Sequence, residues 1–176
     1  MKRFSAWLWI LILILLSAVA FGLPYLDRRA ADACTRQGRA LVNEKKYSQA
    51  IDAFNRAIEI SPKYAPAFHG RGLAHLNQGD NEQAVSDLNA AVGLDPEDAR
   101  ALYHRGVAYF RTGVLDRALS DFSEAIRLSP ESANGYLARS KVYARKGDEV
   151  RAKADRQKAA ELDPALEQAE GKDHAP

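Results

Sequence analysis

The chain has 176 residues, 47% of them hydrophobic, and its 25 Lys and Arg nearly balance its 23 Asp and Glu. The two excess cations are Lys2 and Arg3, so the rest of the chain has no net charge, which argues against a basic nucleic-acid-binding protein. The single cysteine, Cys34, excludes an intrachain disulfide and a cysteine-rich zinc site, and we interpret it as a small apolar filler.

Residues 1–26 contain the sequence features that predict where the protein is located. Lys2 and Arg3 precede an uncharged run from Phe4 to Leu26. A helix of that length would reach roughly 35 Å, enough to cross a bilayer core of about 30 Å. We therefore expect residues 1–26 to form a transmembrane anchor. Because the two cations and the amino terminus should stay in the cytoplasm, the rest of the chain would face the periplasm of a bacterial inner membrane.

Two other interpretations of this segment compete with the anchor. The residues from Ala18 to Ala20 have the small-x-small pattern that a signal peptidase recognises, so cleavage after Ala20 would remove residues 1–20 and leave a secreted or periplasmic protein. A buried helix of a soluble protein is the third interpretation. The anchor and the cleaved signal both export the remainder of the chain.

Prolines divide that remainder into units of identical length. Four of its prolines are spaced by 34 residues each time, with no insertion or deletion: Pro62, Pro96, Pro130 and Pro164. The units span 31–64, 65–98, 99–132 and 133–166. In the third unit, Leu102 and Tyr109 line one face of a first helix, and Phe122 and Ile126 line one face of a second. This spacing predicts a helical hairpin in each unit of an all-α domain.

Small residues recur at fixed places in these units. Glycine, which tolerates the positive φ that ends a helix, marks the turn inside three hairpins, at Gly79, Gly113 and Gly147, with Lys45 in the first. Within the helices the recurring small residues are Gly38, Gly72, Gly106 and Ser140 on the first, and Ala50, Ala84, Ala118 and Ala152 on the second. Hairpins this thin must stack on their neighbours to bury their apolar faces.

This pattern of small residues, an aromatic and a proline at fixed offsets in a 34-residue unit resembles the tetratricopeptide repeat family. The resemblance covers 136 of the 176 residues, from 31 to 166. It implies an α-solenoid of four helical hairpins that coils into a right-handed superhelix, with a concave groove that binds peptides or partner proteins. Each proline then stops a second helix where the chain turns into the next hairpin.

The fourth unit departs from the other three. Arg156 stands where Phe54, Leu88 and Phe122 place a large apolar residue on the second helix. Because no later repeat follows to cover that helix, a polar face is typical of a terminal cap. Residues 167–176 are too short and polar for a further capping helix, and we expect them to form a flexible tail.

Charged residues also recur with the repeat. Arginine on the first helix and aspartate on the second appear together in three units and are both absent from the first, which has Gln37 and Ala53 instead. This co-occurrence predicts three structural ion pairs, Arg71–Asp87, Arg105–Asp121 and Arg139–Asp155. A partly exposed pair of this kind contributes about 0–1 kcal/mol to stability.

The groove residues follow from the family's geometry, in which one stripe of each first helix faces inward. On this chain the stripe is Thr35, Arg39 and Asn43; His69, Leu73 and Asn77; Arg100, Tyr103, Val107, Phe110 and Arg111; then Leu137, Lys141 and Arg145. It contains five cations and no acid, so we expect a protein or peptide partner that carries acidic groups. An ordinary solvated helix face is the alternative.

Members of the family that clamp the carboxylate terminus of chaperones use Lys, Asn and Arg at defined positions. This chain has Thr35, Arg39, Gly70, Arg100 and His104 there. Only Arg100 retains the expected charge in place, so we do not expect that clamp.

Nothing in the sequence indicates catalysis. The four histidines, His69, His75, His104 and His174, lack the paired spacing of metal ligands. The segment HGRGLAH, which begins at His69, precedes no phosphate-binding turn. We expect a binding protein without enzyme activity, cofactor, bound metal or small-molecule substrate. The alternative function is a structural assembly factor of the cell envelope that self-associates.

Overall fold

The structure, a computed structural model, describes residues 26–165. Within that range the chain forms eight α-helices and no strand. The helices are α1 (26–43), α2 (Tyr47–Ile60), α3 (Ala65–Gln78), α4 (Asn81–Leu94), α5 (Ala99–Arg111), α6 (Leu115–Leu128), α7 (Ala133–Arg145) and α8 (Glu149–Leu162). Consecutive helices pair as hairpins, each packed on the next. The predicted all-α solenoid of four hairpins is confirmed.

The ends of the chain lie outside the described residues. Residues 1–25, which hold all of the expected anchor or signal peptide except Leu26, and residues 166–176, which hold the expected flexible tail, are not among them. No helix between residues 26 and 165 is both long enough and apolar enough to cross a bilayer.

The turn inside each hairpin uses a residue in the left-handed region. Gly79, Gly113 and Gly147 have φ of 91°, 79° and 80°. Lys45 has φ of 60° at the same place in the first hairpin and is the one residue other than glycine with positive φ in the described range. Because a side chain at positive φ is strained, Lys45 carries a cost that the three glycines avoid.

The second helix of each hairpin stops two residues before its proline. α2, α4, α6 and α8 end at Ile60, Leu94, Leu128 and Leu162. In α2 the last helical bond is donated by the N–H of Ser61 to the carbonyl of Ala57 at 2.9 Å. Pro62 has no N–H with which to extend the ladder, so the chain leaves the helix and turns into the next hairpin.

The recurring glycines of the first helices allow the two helices of a hairpin to pack closely. A Cβ added at Gly38 would lie 2.7 Å from the Phe54 ring, and one at Gly106 would lie 2.7 Å from the Phe122 ring. In the fourth hairpin Ser140 replaces glycine, and Arg156 replaces the ring. There α8 buries only Ala152, Asp155 and Ala159, a narrower set than the five residues that α6 buries.

The helices are unequally spaced along the array, and this curves it. α3 contacts α5, and α5 contacts α7, but no such contact joins α2 to α4, α4 to α6, or α6 to α8 among the described helices. The first helices of the hairpins therefore lie on the inside of the curve and the second helices on the outside. We call the inward-facing side of α1, α3, α5 and α7 the concave surface.

Candidate functional site

The residues expected in the groove differ in how far they reach solvent. Seven are exposed: Arg39, Asn43, Asn77, Arg100, Arg111, Lys141 and Arg145. Five are half-buried: Leu73, Tyr103, Val107, Phe110 and Leu137. His69 retains 8% of its surface. The stripe therefore combines solvated cations and amides with apolar groups that are only partly open to a ligand.

Thr35, also expected in the stripe, does not belong to it. Its exposed fraction is 1%, and its Oγ1 has no hydrogen-bond partner among residues 26–165. Thr35 shares a helix face with Ala31 and Gly38, at i, i+4 and i+7, and both of those residues are buried. The expectation was wrong because this face of α1 turns toward the packed interior.

A pocket of about 250 Å³ opens on the concave surface between α1, α3 and α5. Two arginines border it, so we call it the Arg39–Arg100 pocket. Its lining residues are Arg39, Val42, Asn43, Phe54, His69, Gly70, Leu73, Arg100 and His104. Gly70 has no side chain to occupy this space, and the ring of Phe54 lies against its Cα.

A second pocket of about 370 Å³ adjoins the first. Arg100 and His104 line both pockets, and Tyr103, Glu131 and Asn134 are among the residues that line the second. A ligand segment following the concave surface would therefore meet Arg100 and His104 from either pocket.

His69 and His104 form a hydrogen-bonded pair between α3 and α5. Nε2 of His69 lies 2.8 Å from Nδ1 of His104, and Nδ1 of His69 lies 3.2 Å from Oδ2 of Asp98. The hydrogen bond from His69 and the backbone N–H groups of α5 hold the pKa of Asp98 well below its usual range. Burial, together with the neighbouring His69, lowers the pKa of His104 to about 4.

Two of the expected groove cations are engaged in packing between hairpins. Nη1 of Arg111 donates to the carbonyl of Leu76 at 2.6 Å, and Nη1 of Arg145 donates to the carbonyl of Phe110 at 3.1 Å. Both acceptors lie in the last turn of the preceding first helix, where carbonyls lack partners within the helix and the macrodipole favours a cation. These two arginines are thus less available to a ligand than the sequence suggests.

The remaining cations of the concave surface are Arg39, Arg100 and Lys141. Their side chains form no ion pair with any residue between 26 and 165. They also line or extend the face that holds the Arg39–Arg100 pocket. A ligand with acidic groups would therefore find unpaired positive charge there.

The aromatic groups of the concave surface also support the fold. The Tyr103 ring lies 5.7 Å from the Phe122 ring and 5.4 Å from the His104 ring, and burial raises the pKa of its hydroxyl. The guanidinium of Arg145 lies 5.3 Å from the centre of the Phe110 ring. Truncating Tyr103 or Phe110 would remove core contacts as well as a ligand surface.

The three arginine–aspartate pairs lie within single hairpins. The Arg105 guanidinium donates two bonds to Asp121, Nε to Oδ2 and Nη2 to Oδ1, both at 2.8 Å. Arg71–Asp87 and Arg139–Asp155 have the same bidentate geometry, at 2.6–2.9 Å. Each aspartate is buried, with exposed fractions of 5–7%. These pairs are thus more buried than the sequence implied, and the hydrogen bond to Asp121 raises the pKa of Arg105.

The same arginines also reach the preceding hairpin. Nη1 of Arg71 donates to Asn55 at 2.7 Å, Nη1 of Arg105 donates to Asn89 at 3.1 Å, and Nη1 of Arg139 donates to Ser123 at 3.3 Å. Each guanidinium therefore joins two second helices, one of its own hairpin and one of the previous hairpin. This arrangement is structural and lies away from the pocket.

The histidine pair was missed by reasoning on ligand spacing within the sequence. The sequence feature that could have predicted the pair is a separation of 35 residues, one residue more than the repeat. The same separation lies between Arg111 and Leu76 and between Arg145 and Phe110. Residues at this separation face each other across neighbouring first helices. In the described part of the chain, no group of three or more His, Cys, Asp or Glu is arranged to hold a metal ion.

Two family models match this chain. One, described as "Tetratricopeptide repeat", matches residues 69–133, and another, described as "TPR repeat", matches residues 38–79. Together the two matches span residues 38–133, which is more than half of the 176 residues. No curated protein matches the chain at a significant level.

Solved structures of similar fold are numerous. MamA 41-end from Desulfovibrio magneticus RS-1 is 27% identical, over 77% of this chain and 76% of that one, with a TM-score of 0.70. The first TPR of Spaghetti (RPAP3), bound to the HSP90 peptide SRMEEVD, is 23% identical over 68% of this chain and 95% of that one, with a TM-score of 0.67. The Arabidopsis OM64 TPR domain is 23% identical over 68% and 98%, with a TM-score of 0.65. The last two similarities show the fold alone.

Proposed function

We propose that the chain, which has tetratricopeptide repeats within residues 38–133, binds a partner protein through its concave surface and catalyses no reaction. The observation that carries this proposal is the Arg39–Arg100 pocket, which joins unpaired cations to apolar and amide groups on the inside of the curve. The half-buried Leu73 and Val42 offer apolar contact there, and Asn43 offers an amide that can bond a peptide backbone.

The charge of this surface supports an acidic segment as the ligand. Arg39, Arg100 and Lys141 face the concave side without an ion-pair partner in the described range. Exposed charges of this kind act mainly on orientation and association rate, so most of the affinity would come from apolar contact. The fold accommodates such a ligand in the RPAP3 structure, where the bound HSP90 peptide contains the acidic sequence EEVD.

Photocrosslinking from single positions tests the surface directly. A photoreactive amino acid at Asn77, exposed on α3 of the concave surface, should give a specific adduct with the partner in envelope extract. The same amino acid at Ser86, exposed on α4 of the convex side, is the matched control and should give none. Adducts of equal yield from both positions would contradict the proposal, and an adduct with a second copy of the chain would favour self-association.

Charge reversal provides an independent measurement. Arg100→Glu places a negative charge between the two pockets, so it should reduce the yield of the Asn77 adduct several-fold. Lys153→Glu makes the same change of charge on an exposed residue of α8 and should leave the yield unchanged. Circular dichroism should show equal helix content in both variants. Equal yields from the two folded variants would show that the partner uses another face.

We further propose that residues 4–26 anchor the protein in a bacterial inner membrane, with the repeats in the periplasm. The support is the length and lack of charge of this run. In spheroplasts, added protease should digest the repeats, and the mature protein should retain its first residues in mass spectrometry. A mature amino terminus at Phe21 would show cleavage after Ala20 and export without an anchor. Repeats protected from protease would contradict export altogether.

A further inference from the structure

The hydrogen bonds from Asp98 through His69 to His104 have a direction that follows from their acidic end. Oδ1 of Asp98 accepts from the backbone N–H groups of Arg100 and Ala101, at 2.9 and 3.2 Å, while Oδ2 faces Nδ1 of His69. An ionised carboxylate only accepts hydrogen bonds, so Nδ1 of His69 carries the proton. Nε2 of neutral His69 is then an acceptor, and the proton of the 2.8 Å bond belongs to Nδ1 of His104. Nε2 of His104 is left with a lone pair.

Adding one proton to the pair reverses the direction of the His69–His104 hydrogen bond. Both hydrogen bonds, Asp98–His69 and His69–His104, are kept. The proton enters at the free lone pair on Nε2 of His104, and the Nδ1 proton of His104 passes to Nε2 of His69, whose ring then donates to both the Asp98 carboxylate and Nδ1 of His104. Nδ1 of His104 must then accept, so the proton of His104 lies on Nε2 instead. The pair gains one positive charge, and Nε2 of His104 changes from acceptor to donor.

Nε2 of His104 is the nitrogen of the pair that remains available to bind a ligand. The ring of His104 lines both pockets of the concave surface, and its Nδ1 is already bonded to His69. Nε2 of His104 has no hydrogen-bond partner between residues 26 and 165, and it is not among the buried polar atoms that lack one. A change in its proton therefore changes the pocket itself.

The charged groups around the pair lie on α1, at the start of α5 and in the turn before α7. Asp98, at the start of α5, and Glu131, which lines the second pocket with His104, favour an added proton. Arg100 on α5 and Arg39 on α1 both disfavour it, and the ring of Tyr103 lies beside His104. Burial, together with the neighbouring His69, lowers the pKa of His104 to about 4, which keeps a second proton off the pair. A negative ligand group would offset the two arginines.

We infer that the Arg39–Arg100 pocket binds an acidic group of its partner together with one proton, which the His69–His104 pair takes up. This inference rests on the proposed binding at the concave surface and adds the chemistry that couples this binding to pH. The ligand class is a carboxylate side chain of an acidic peptide, held by Arg39, Arg100 and the donor form of His104.

The sign of the coupling follows from the charges. A bound carboxylate stabilises the charged pair, so affinity rises as the pH falls from 7.5 to 5.5. Uptake of a single proton sets an upper limit of about tenfold in affinity per pH unit. Near pH 4.3 and below, glutamate in the ligand becomes protonated itself, and affinity falls again.

A synthetic acidic peptide serves as the probe. Fluorescent hexaglutamate, acetylated and amidated so that it has no terminal carboxylate, is titrated into full-length protein in detergent at pH 7.5, 6.5 and 5.5 and constant ionic strength. We expect its Kd to fall about 3- to 10-fold for each unit of pH, within the single-proton limit. Hexaglutamine should not bind.

Two variants isolate the pair. His104→Asn places an amide where Nδ1 lies, so the bond to His69 can form, but the variant presents no ring nitrogen to the pockets that changes from acceptor to donor. The Kd of hexaglutamate should therefore depend less on pH than it does in the wild type. His75→Gln, at a histidine of α3 outside both pockets, should keep the dependence of the wild type. Equal pH dependence in wild type and His104→Asn would overturn the inference, as would a failure of hexaglutamate to bind at every pH.

A measurement without ligand separates this inference from the proposed function. In ¹⁵N-histidine-labelled protein, imidazole nitrogen shifts at pH 7.5 should show both His69 and His104 protonated at Nδ1. On acidification the pair should take up one proton, and the proton of His104 should move to Nε2. An Nε2–H form of His104 at pH 7.5, or two independent titrations near pH 6.5, would refute the relay. Failure of crosslinking at Asn77 would instead refute binding at the concave surface.

Discussion

Replacing Gly106 with alanine tests whether the repeated glycines are present for close packing. A Cβ built at Gly106 lies 2.7 Å from Cε1 and 2.9 Å from Cδ1 of the Phe122 ring. That ring keeps only 1% of its surface exposed, so it has little room to move. Gly93 on α4 is the matched control, because a Cβ built there meets no atom of the described residues within 4 Å.

Two effects of opposite sign determine the result at Gly106. An extra methyl group in a well-packed core destabilises by about 1–3 kcal/mol. Alanine is favoured over glycine inside a helix by about 0.5–1 kcal/mol. We therefore expect Gly106→Ala to lower the free energy of unfolding by about 1–2 kcal/mol. Gly93→Ala gains helix propensity without the clash, so it should raise that free energy by up to about 1 kcal/mol.

Urea and thermal denaturation of the full-length protein in detergent measure the difference. One kcal/mol corresponds to a shift in Tm of about 2–4 °C for a chain of this size, so a difference of about 1–3 kcal/mol between the two variants should separate their Tm values by roughly 2–12 °C. In a Phe122→Ala background the added methyl no longer meets the ring, and Gly106→Ala should become neutral or stabilising. A Gly106→Ala variant that is as stable as Gly93→Ala would refute the packing argument.

Two further predictions concern charge and backbone strain. Arg139→Met leaves the buried Asp155 carboxylate without its bidentate partner, so it should lower the free energy of unfolding in urea by about 2–4 kcal/mol. The control Arg127→Met breaks an exposed pair with Glu124 and should have no measurable effect. Similar losses in the two variants would contradict the role of the buried pair. Lys45→Gly removes the backbone strain of a side chain at φ of 60°, so it should raise the free energy of unfolding by about 0.5–1 kcal/mol and raise Tm with it. A lowered Tm would show that contacts of the Lys45 side chain stabilise the fold more than the strain destabilises it.

The sequence by itself determined the helices, the turns and the hairpins of this protein, because these features depend on local residues that recur with the repeat. Proline cannot donate a helical hydrogen bond, so four prolines at one interval predicted where α2, α4, α6 and α8 end. Glycine at positive φ predicted the turns inside the hairpins, and its recurrence on the first helices predicted close packing. The arginine–aspartate spacing of 16 residues lies within one hairpin, so it too is visible without tertiary structure.

Only the tertiary structure decided what the concave surface presents. Thr35 turns into the interior, Arg111 and Arg145 bond the ends of neighbouring helices, and His69 pairs with His104. Each of these outcomes depends on how one first helix is displaced and rotated against the next. That displacement brings residues 35 positions apart into contact, although the repeat itself is 34 residues long. It arises from packing over the whole stack, in which close first helices and separated second helices curve the array, so no single repeat carries the information.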